Sequence, residues 1–172
     1  MTSQAENIQK SFIWITGYSA SGKTTIAIEL VRALRAEGHV VVHLDGDELR
    51  AIFGKKWGHS REEKMELSLV YMRLSKNLAQ QGQVVVLSAV AMFQEIYDWV
   101  SENVPNSLMV LVEAPLQTRV NRDAATKNVY SEINAQGQIY ELPEHIDLKI
   151  ANADGASISI FARKIANLIK GC

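Results

Sequence analysis

The residues best suited to chemistry lie at positions 17–25, where the chain reads GYSASGKTT. The pattern G-x-x-x-x-G-K-[ST] is typical of a loop that binds nucleotide phosphates, the Walker A or P-loop. Glycines allow backbone angles that turn successive N–H groups inward, and the lysine and threonine add a charge and a metal-binding hydroxyl. We therefore predict nucleotide contacts from Gly17, Tyr18, Ser19, Ala20, Ser21, Gly22, Lys23, Thr24 and Thr25.

Within this loop, Lys23 is the predicted catalytic cation and Thr24 the predicted Mg²⁺ ligand. The alternative is a Gly/Ser turn before a helix with an exposed lysine, but pattern and context both favour the phosphate loop. ATP is the expected nucleotide, because a GTPase needs an N-K-x-D run and the chain has none. Motors and transporters usually carry a strand that ends in aspartate, whereas the third predicted strand ends at Ser88.

Two carboxylates and an arginine follow the second predicted strand, in the run HLDGDELR. Asp45 and Asp47 flank Gly46, and Arg50 lies about one helical turn beyond Asp47. A carboxylate here can take the proton of an attacking hydroxyl or hold Mg²⁺ through water, and Arg50 can bind an anionic acceptor. The alternative is a D-G turn in which Asp47 caps a helix and Arg50 is solvated.

Alternating elements must position these residues. Five short apolar runs predict strands at 12–16, 39–45, 84–89, 108–114 and 146–150. Helical spacing predicts helices at 23–37, 61–80, 93–104 and 155–169, the second opening with a Ser60/Glu63 capping box. This order predicts an α/β P-loop fold with a doubly wound, parallel five-stranded sheet, in which ligands bind at the carboxyl ends of the strands.

Size and composition narrow the function classes. The chain has 172 residues, which suits a single domain, and its net charge of −1 offers no general attraction to nucleic acid or to an anionic membrane. The only cysteine is Cys172, and no apolar run is long enough to cross a bilayer, so we expect a cytoplasmic protein without disulfides. The polar segment 123–144 is expected to be either a functional lid or a disordered insert, and a lid suits a small-molecule kinase because it excludes water.

Four runs together resemble the adenylyl-sulfate kinase family over nearly the whole chain: ITGYSASGKTTIAIEL, HLDGDELR, GHSREEK and VEAPLQTRVNRD. The resemblance implies a fold like that of the nucleoside monophosphate kinases. It also implies transfer of the γ-phosphoryl group of ATP, with Mg²⁺, to a ribose 3′-hydroxyl. By the same resemblance Asp47 is the base, Arg50 an acceptor contact and Arg122 a residue near ATP at the base of the lid. Family members are often dimers, so a homodimer is compatible with it.

The departures from the family pattern lie on the acceptor side. His59 replaces an aromatic residue, Lys64 an arginine and Leu67 an asparagine. The family run I-S-P-F is VAMF here, which begins at Val90 and places Ala91 where a serine is common. The lid run KNVYSE only partly matches the family, and Lys127 and Tyr130 within it either close over the triphosphate or are ordinary surface. We therefore predict acceptor contacts from Asp45, Asp47, Arg50, His59, Lys64, Val90 and Lys127.

This distribution predicts an active kinase with a changed acceptor. The run MFQEIYDWVSENVPN resembles a subgroup associated with surface-polysaccharide pathways, one member of which phosphorylates a cytidine diphosphate derivative bearing a nitrogen group. Adenylyl sulfate is one predicted acceptor, and a cytidine diphosphoramidate-like compound is the alternative. A noncatalytic nucleotide-binding regulator, or a kinase of another small acceptor such as a sugar acid, are the rival functions.

Overall fold

The sheet of this protein has five parallel strands in the order β2-β3-β1-β4-β5. The computed structural model describes residues 10–54, 57–125, 140–153 and 157–170. The strands are β1 (Phe12–Thr16), β2 (Val41–Asp45), β3 (Val84–Ser88), β4 (Ser107–Glu113) and β5 (Leu148–Ala151). The helices in these ranges are α1 (Lys23–Ala36), α2 (Gly46–Phe53), α3 (Arg61–Gln80), α4 (Gln94–Asn103), α5 (Leu116–Ala124) and α6 (Ile158–Lys170).

Both faces of the sheet are buried, which explains why its central strands are apolar at consecutive positions. Side chains alternate across a strand, so Ile13 and Ile15 of β1 face one core while Phe12 and Trp14 face the other. The first core is completed by α1 and α6, and the second by α3 and α4. The predicted α/β fold with a five-stranded parallel sheet is therefore confirmed.

Two helices are present that the apolar pattern does not predict. The first is α2, which begins directly after β2, and the second is α5, which extends into the segment expected to be a lid and ends at Ala124. The predicted capping box is present: the Ser60 hydroxyl accepts from the Glu63 amide, and the Glu63 carboxylate accepts from the Ser60 amide. The helix that this box opens, α3, carries Lys64, one of the predicted acceptor contacts.

Parallel strands bring their carboxyl ends to one edge of the sheet. The register places Asp45 beside Ser88 on neighbouring strands, and Thr16 leads directly into the predicted phosphate loop. This edge holds the candidate active site. No helix in the described parts of the chain is both long enough and apolar enough to span a bilayer.

Candidate active site

The phosphate loop between β1 and α1 depends on its two glycines. Gly17 has φ 137° and Gly22 has φ 99°, both in a region that side chains with a Cβ rarely adopt. A Cβ on Gly17 would collide with the carbonyl oxygen of Val112, and one on Gly22 would collide with the side-chain amide of Asn152. The loop therefore has the tight backbone path, ending at the N-terminus of α1, that a phosphate site requires.

Asn152 fixes this loop from the opposite end of the sequence. Its side-chain amide donates to the Ser21 carbonyl at 2.8 Å, and its backbone amide donates to the Glu113 carbonyl at 2.7 Å. Asn152 is 3% exposed, so water does not compete for these bonds. The sequence alone did not single out Asn152, because only the strand order brings the end of β5 beside the loop.

Three basic side chains lie close to the loop, two of which, Lys23 and Arg122, are predicted site residues. Lys23 is buried, and its ammonium donates to the Tyr18 carbonyl at 2.8 Å. The Arg122 Nη1 atom lies 3.9 Å from the position that a Cβ on Gly22 would occupy. Arg119, which sequence reasoning missed, lies with its guanidinium carbon 4.7 Å from the centre of the Tyr18 ring. The spacing of Arg119 and Arg122 on one helical turn was the signal that could have found it.

Asp45 is the centre of the polar network at this edge of the sheet. Its Oδ2 atom accepts from the Thr24 hydroxyl at 2.7 Å and from the Ser88 hydroxyl at 2.8 Å. Its Oδ1 atom accepts from the Asp47 amide at 3.0 Å, which makes Asp45, not Asp47, the N-cap of α2. One buried carboxylate thus connects the phosphate loop, the end of β3 and the start of α2.

The protonation state of Asp45 follows from these bonds. Burial would raise the pKa of Asp45, but the hydrogen bonds from Thr24, Ser88 and the amides of Asp47 and Glu48 outweigh it and leave the pKa below its usual value. Since Ser88 gives its hydrogen to Asp45, the His43 Nε2 atom, 3.0 Å from the Ser88 oxygen, is the donor in that contact. Burial lowers the pKa of His43, so its ring is neutral at pH 7.

The oxygen donors around Asp45 suit Mg²⁺. Thr24 and Asp45 present a hydroxyl and a carboxylate within 2.7 Å of each other, and Mg²⁺ favours such hard oxygen ligands. Within the described ranges, no group of three or more His, Cys, Asp or Glu side chains could hold a metal ion. In phosphoryl-transfer sites Mg²⁺ usually keeps several waters and binds one or two protein groups together with substrate phosphates, and Thr24 and Asp45 suit such a site.

Asp47 lies on the exposed side of the same helix start. Its side chain is exposed, in contrast to the buried Asp45. The Tyr71 hydroxyl donates to the Gly46 carbonyl at 3.0 Å and so fixes the backbone between the two aspartates. Burial, together with the charges of Asp47 and Asp45, raises the pKa of Tyr71 to about 12, so its hydroxyl remains a donor. The sequence alone did not single out Tyr71 as a site residue.

Arg50 and Lys64, both predicted acceptor contacts, form a basic pair beside the start of α2. The Arg50 guanidinium donates to the carbonyls of Trp57 and Gly58 at 2.8 and 2.6 Å. The Lys64 ammonium lies 5.6 Å from the centre of the Tyr140 ring. Burial, and then the nearby charge of Arg50, lower the pKa of Lys64. No carboxylate of the described residues pairs with either cation, so the pair is suited to an anionic ligand.

The remaining predicted residues are placed less centrally. His59 is exposed, and in the described part of the structure no hydrogen bond, ion pair or ring contact joins it to Asp47, Arg50 or Lys64.

Val90 is partly exposed, and its carbonyl accepts from the Thr16 hydroxyl. Leu67 is only 2% exposed and packs in the core. The predictions for Lys127 and Tyr130 lie outside the described residues.

Comparisons with known proteins fit this geometry. A family model described as adenylylsulphate kinase matches residues 9–151. The chain belongs to the adenylylsulphate kinase family. The resemblance inferred from the four sequence runs is thus confirmed, and with it the prediction of a small P-loop kinase, since this family consists of ATP-dependent kinases.

Individual relatives of this member of the adenylylsulphate kinase family differ in acceptor. A cytidine diphosphoramidate kinase of Campylobacter jejuni is 33% identical over 120 residues, which cover 70% of this chain and 69% of the relative. A probable adenylyl-sulfate kinase of Pyrococcus abyssi is 30% identical over 146 residues, which cover 80% and 83%. The family assignment is therefore firm, whereas these two names point to different acceptors.

Solved structures support the fold. The Mycobacterium tuberculosis APS kinase CysC in complex with AMPPNP and APS has a TM-score of 0.81 and 24% identity, and the match covers 95% of this chain and 99% of that one. The crystal structure of APE1195 has a TM-score of 0.79 and 30% identity, with 95% and 97% covered. The arrangement of strands and helices is that of the adenylylsulphate kinase family across most of the chain.

Proposed function

We propose that this chain transfers the γ-phosphoryl group of ATP to the ribose 3′-hydroxyl of a small anionic nucleotide. The observation that carries the proposal is the double contact of Asp45. One of its oxygens accepts from Thr24 of the phosphate loop and the other from the amide of Asp47. The predicted phosphate site and the predicted base are therefore attached to the two sides of one carboxylate.

The proposed reaction follows from this placement. Asp47 takes the proton of the acceptor hydroxyl, the hydroxyl oxygen forms a bond to the γ-phosphorus, and the bond from phosphorus to the bridging oxygen breaks to release ADP. The proton on Asp47 is then lost to solvent, which its exposed side chain allows. Lys23 and the amides of the phosphate loop stabilise the negative charge of the transferring group.

We propose Thr24 and Asp45 as the protein groups that hold Mg²⁺, directly or through water. The ion would supply charge neutralisation at the β- and γ-phosphates. Asp45 is suited to this role because its lowered pKa keeps it ionised at neutral pH. Arg122 and Arg119, both beside the phosphate loop, are proposed to neutralise further phosphate charge.

Arg50 and Lys64 are proposed to bind the anionic tail of the acceptor. Lysine presents a point charge in place of the forked donors of arginine, and the buried Leu67 offers no hydrogen bond at all. With a lysine and a leucine at these two positions, the site has fewer hydrogen-bond donors with which to recognise a sulfate group. The Campylobacter jejuni relative acts on cytidine diphosphoramidate, so a cytidine diphosphoramidate-like acceptor is the second candidate beside adenylyl sulfate.

The experiment is an acceptor panel. Purified protein is incubated with ATP and Mg²⁺ and with adenylyl sulfate, cytidine diphosphoramidate, gluconate or no acceptor, and ADP and the phosphorylated product are quantified. We expect ADP to form at least ten times faster with one of the two nucleotides, with the new phosphate on the ribose 3′-oxygen. Equal, slow ADP formation in every tube would favour a noncatalytic nucleotide-binding regulator.

A further inference from the structure

Arg61 occupies a position that helix electrostatics disfavours. It is the first residue of α3, where the positive end of the helix dipole repels a cation. Its guanidinium nevertheless has three close carboxylate contacts. It forms two parallel bonds of 2.9 Å to Glu95 of α4 and one of 2.8 Å to Glu141. These contacts connect two helix starts with the segment in which the described chain resumes at residue 140.

Glu141 is held on several sides. Its carboxylate accepts from the Gln94 amide at 2.7 Å as well as from Arg61, and its own amide donates to the Met92 carbonyl at 3.0 Å. The Tyr97 hydroxyl donates to its carbonyl at 2.7 Å. These bonds fix the backbone immediately next to Tyr140.

Tyr140 lies between Tyr18 of the phosphate loop and Lys64 of α3. Its ring packs against Phe93 at 5.6 Å between centroids and lies 5.6 Å from the Lys64 ammonium. Its edge contact with Tyr18 of the phosphate loop is longer, at 6.4 Å. An aromatic face attracts a cation, so the Tyr140 ring favours this position of the half-buried Lys64 charge.

We propose that the pairing of Arg61 with Glu141 is a positioning device that fixes the Tyr140 ring under Lys64 and thereby sets the affinity for the acceptor. This inference rests on the proposed function, which places the acceptor's anionic tail at Lys64. Arg61 and Glu141 act through Tyr140 and are positioning residues. The affinity for ATP does not depend on them, because Asn152 and the loop's own glycines fix the phosphate loop.

The chain offers a matched control. Arg32 and Glu29 of α1 form the same two-bond pair, at 2.9 and 2.7 Å, on an exposed helix surface. Exposed ion pairs contribute little to stability, so Arg61→Gln, Glu141→Gln and the control Arg32→Gln should all fold. Melting temperatures within about 3 °C of wild type, roughly the shift that small destabilisations produce, would verify this.

The first measurement separates acceptor affinity from ATP affinity. With the acceptor that the wild type phosphorylates, we expect Arg61→Gln and Glu141→Gln to raise KM for the acceptor about 3- to 10-fold and to change kcat and KM for ATP less than about two-fold. The acceptor KM of the double variant should be no higher than that of the more affected single variant, because both substitutions remove the same bond between Arg61 and Glu141. Tyr140→Leu should show the same increase, Tyr140→Phe a smaller one, and Arg32→Gln none.

An unchanged acceptor KM in Arg61→Gln would overturn the proposal, and so would an equal rise in KM for ATP. The second measurement does not need activity. Hydrogen–deuterium exchange of the peptide containing residues 140–147 should be faster in Arg61→Gln than in wild type or Arg32→Gln, and unchanged exchange would show that Arg61 does not fix this segment. If the wild type phosphorylates no acceptor, the proposed function fails and the claim about acceptor affinity with it. Exchange alone then decides whether Arg61 holds Tyr140.

Discussion

Two aspartates two positions apart have opposite environments in this protein. Asp45 is buried and accepts hydrogen bonds from Thr24, Ser88 and the Asp47 amide, whereas the Asp47 side chain is exposed. A carboxylate that is fully hydrogen-bonded is a poor base but a good ligand and scaffold. We therefore propose that Asp47 accepts the proton and that Asp45 organises the site.

Replacing the proposed base tests this division. Asp47→Asn should lower kcat by about 10²- to 10⁴-fold, the usual contribution of a general base, and leave the dissociation constant for ATP unchanged. The matched control is Glu48→Gln, which removes the neighbouring exposed carboxylate of the same helical turn. Wild-type turnover in Asp47→Asn, measured by coupled ADP formation, would remove Asp47 from the mechanism.

Replacing Lys23 tests whether its charge stabilises the phosphoryl group during transfer. Lys23→Ala removes the buried ammonium from the phosphate loop and should lower kcat/KM by about 10²-fold or more, because a preorganised charge at the transferring group is lost. The control is Lys10→Ala, because Lys10 precedes β1 and so lies at the opposite end of that strand from the loop. Steady-state kinetics with the acceptor found in the panel provides the measurement, and a loss below about ten-fold would contradict the assignment.

The lowered pKa of Asp45 predicts a pH effect on stability. A carboxylate whose pKa is lower in the folded state than in the unfolded state stabilises the fold above the unfolded pKa, near 4. That stabilisation is lost as the pH falls through the folded pKa. Between pH 7 and pH 3 the melting temperature of Asp45→Asn should therefore fall less than that of wild type. Parallel curves for the two proteins would show that Asp45 is not the group responsible.

The helices and strands that the sequence predicts are those whose buried side chains are apolar and regularly spaced. The strands and α1, α3, α4 and α6 bury apolar side chains at regular spacing, so their patterns predict them. In α5 the buried residues are Thr118, Arg119 and Asp123, which are polar, so an apolar period could not reveal that helix. The eight-residue α2 buries only Leu49, and its D-G-D start resembles a turn.

The candidate site divides in the same way. The phosphate loop is a contiguous motif, so the sequence predicts its residues directly. Ser88, Tyr71 and Asn152 reach the site through strand order and helix packing, which no local spacing records. Local spacing also does not reveal that the Tyr140 ring and the Arg119 guanidinium both contact the Tyr18 ring. The sequence predicts the chemistry, and the fold adds the groups that hold it in place.

The link between β5 and the phosphate loop predicts a selective loss. Asn152→Ala removes the donor to the Ser21 carbonyl and leaves that buried acceptor unsatisfied, which costs about 1–3 kcal/mol. We expect KM for ATP to rise about ten-fold and KM for the acceptor to change far less. Asn77→Ala, on the exposed surface of α3, is the control. Equal increases in the two KM values would show a general disturbance of the site instead.

For the whole molecule, a net charge of −1 means that anionic ligands are held by local groups alone. Lys23, Arg119 and Arg122 lie at the phosphate loop, and Arg50 and Lys64 form the basic pair that we propose binds the acceptor. Both groups are at one edge of the sheet, where the two substrates would meet. A protein that is nearly neutral overall should therefore bind two anions side by side.

Ligand binding should appear as added thermal stability. A ligand at about 100 times its dissociation constant stabilises the fold by about 2.7 kcal/mol. We expect a nonhydrolysable ATP analogue with Mg²⁺ to raise the melting temperature by several degrees, and the true acceptor to add a further increase. EDTA should reduce the shift produced by the analogue. A nucleotide screen by differential scanning fluorimetry checks this, and an absence of any shift with the analogue would contradict the assignment of the loop.

The bond from Asn152 to Ser21 spans 131 positions of the chain. During synthesis the glycine-rich turn leaves the ribosome long before the side-chain amide that holds it in place. A nascent chain can form β1 and α1 long before this brace exists. The loop therefore reaches its nucleotide-binding conformation only after β5 has been made. Fragments that lack residue 152 should fold in part but bind ATP weakly.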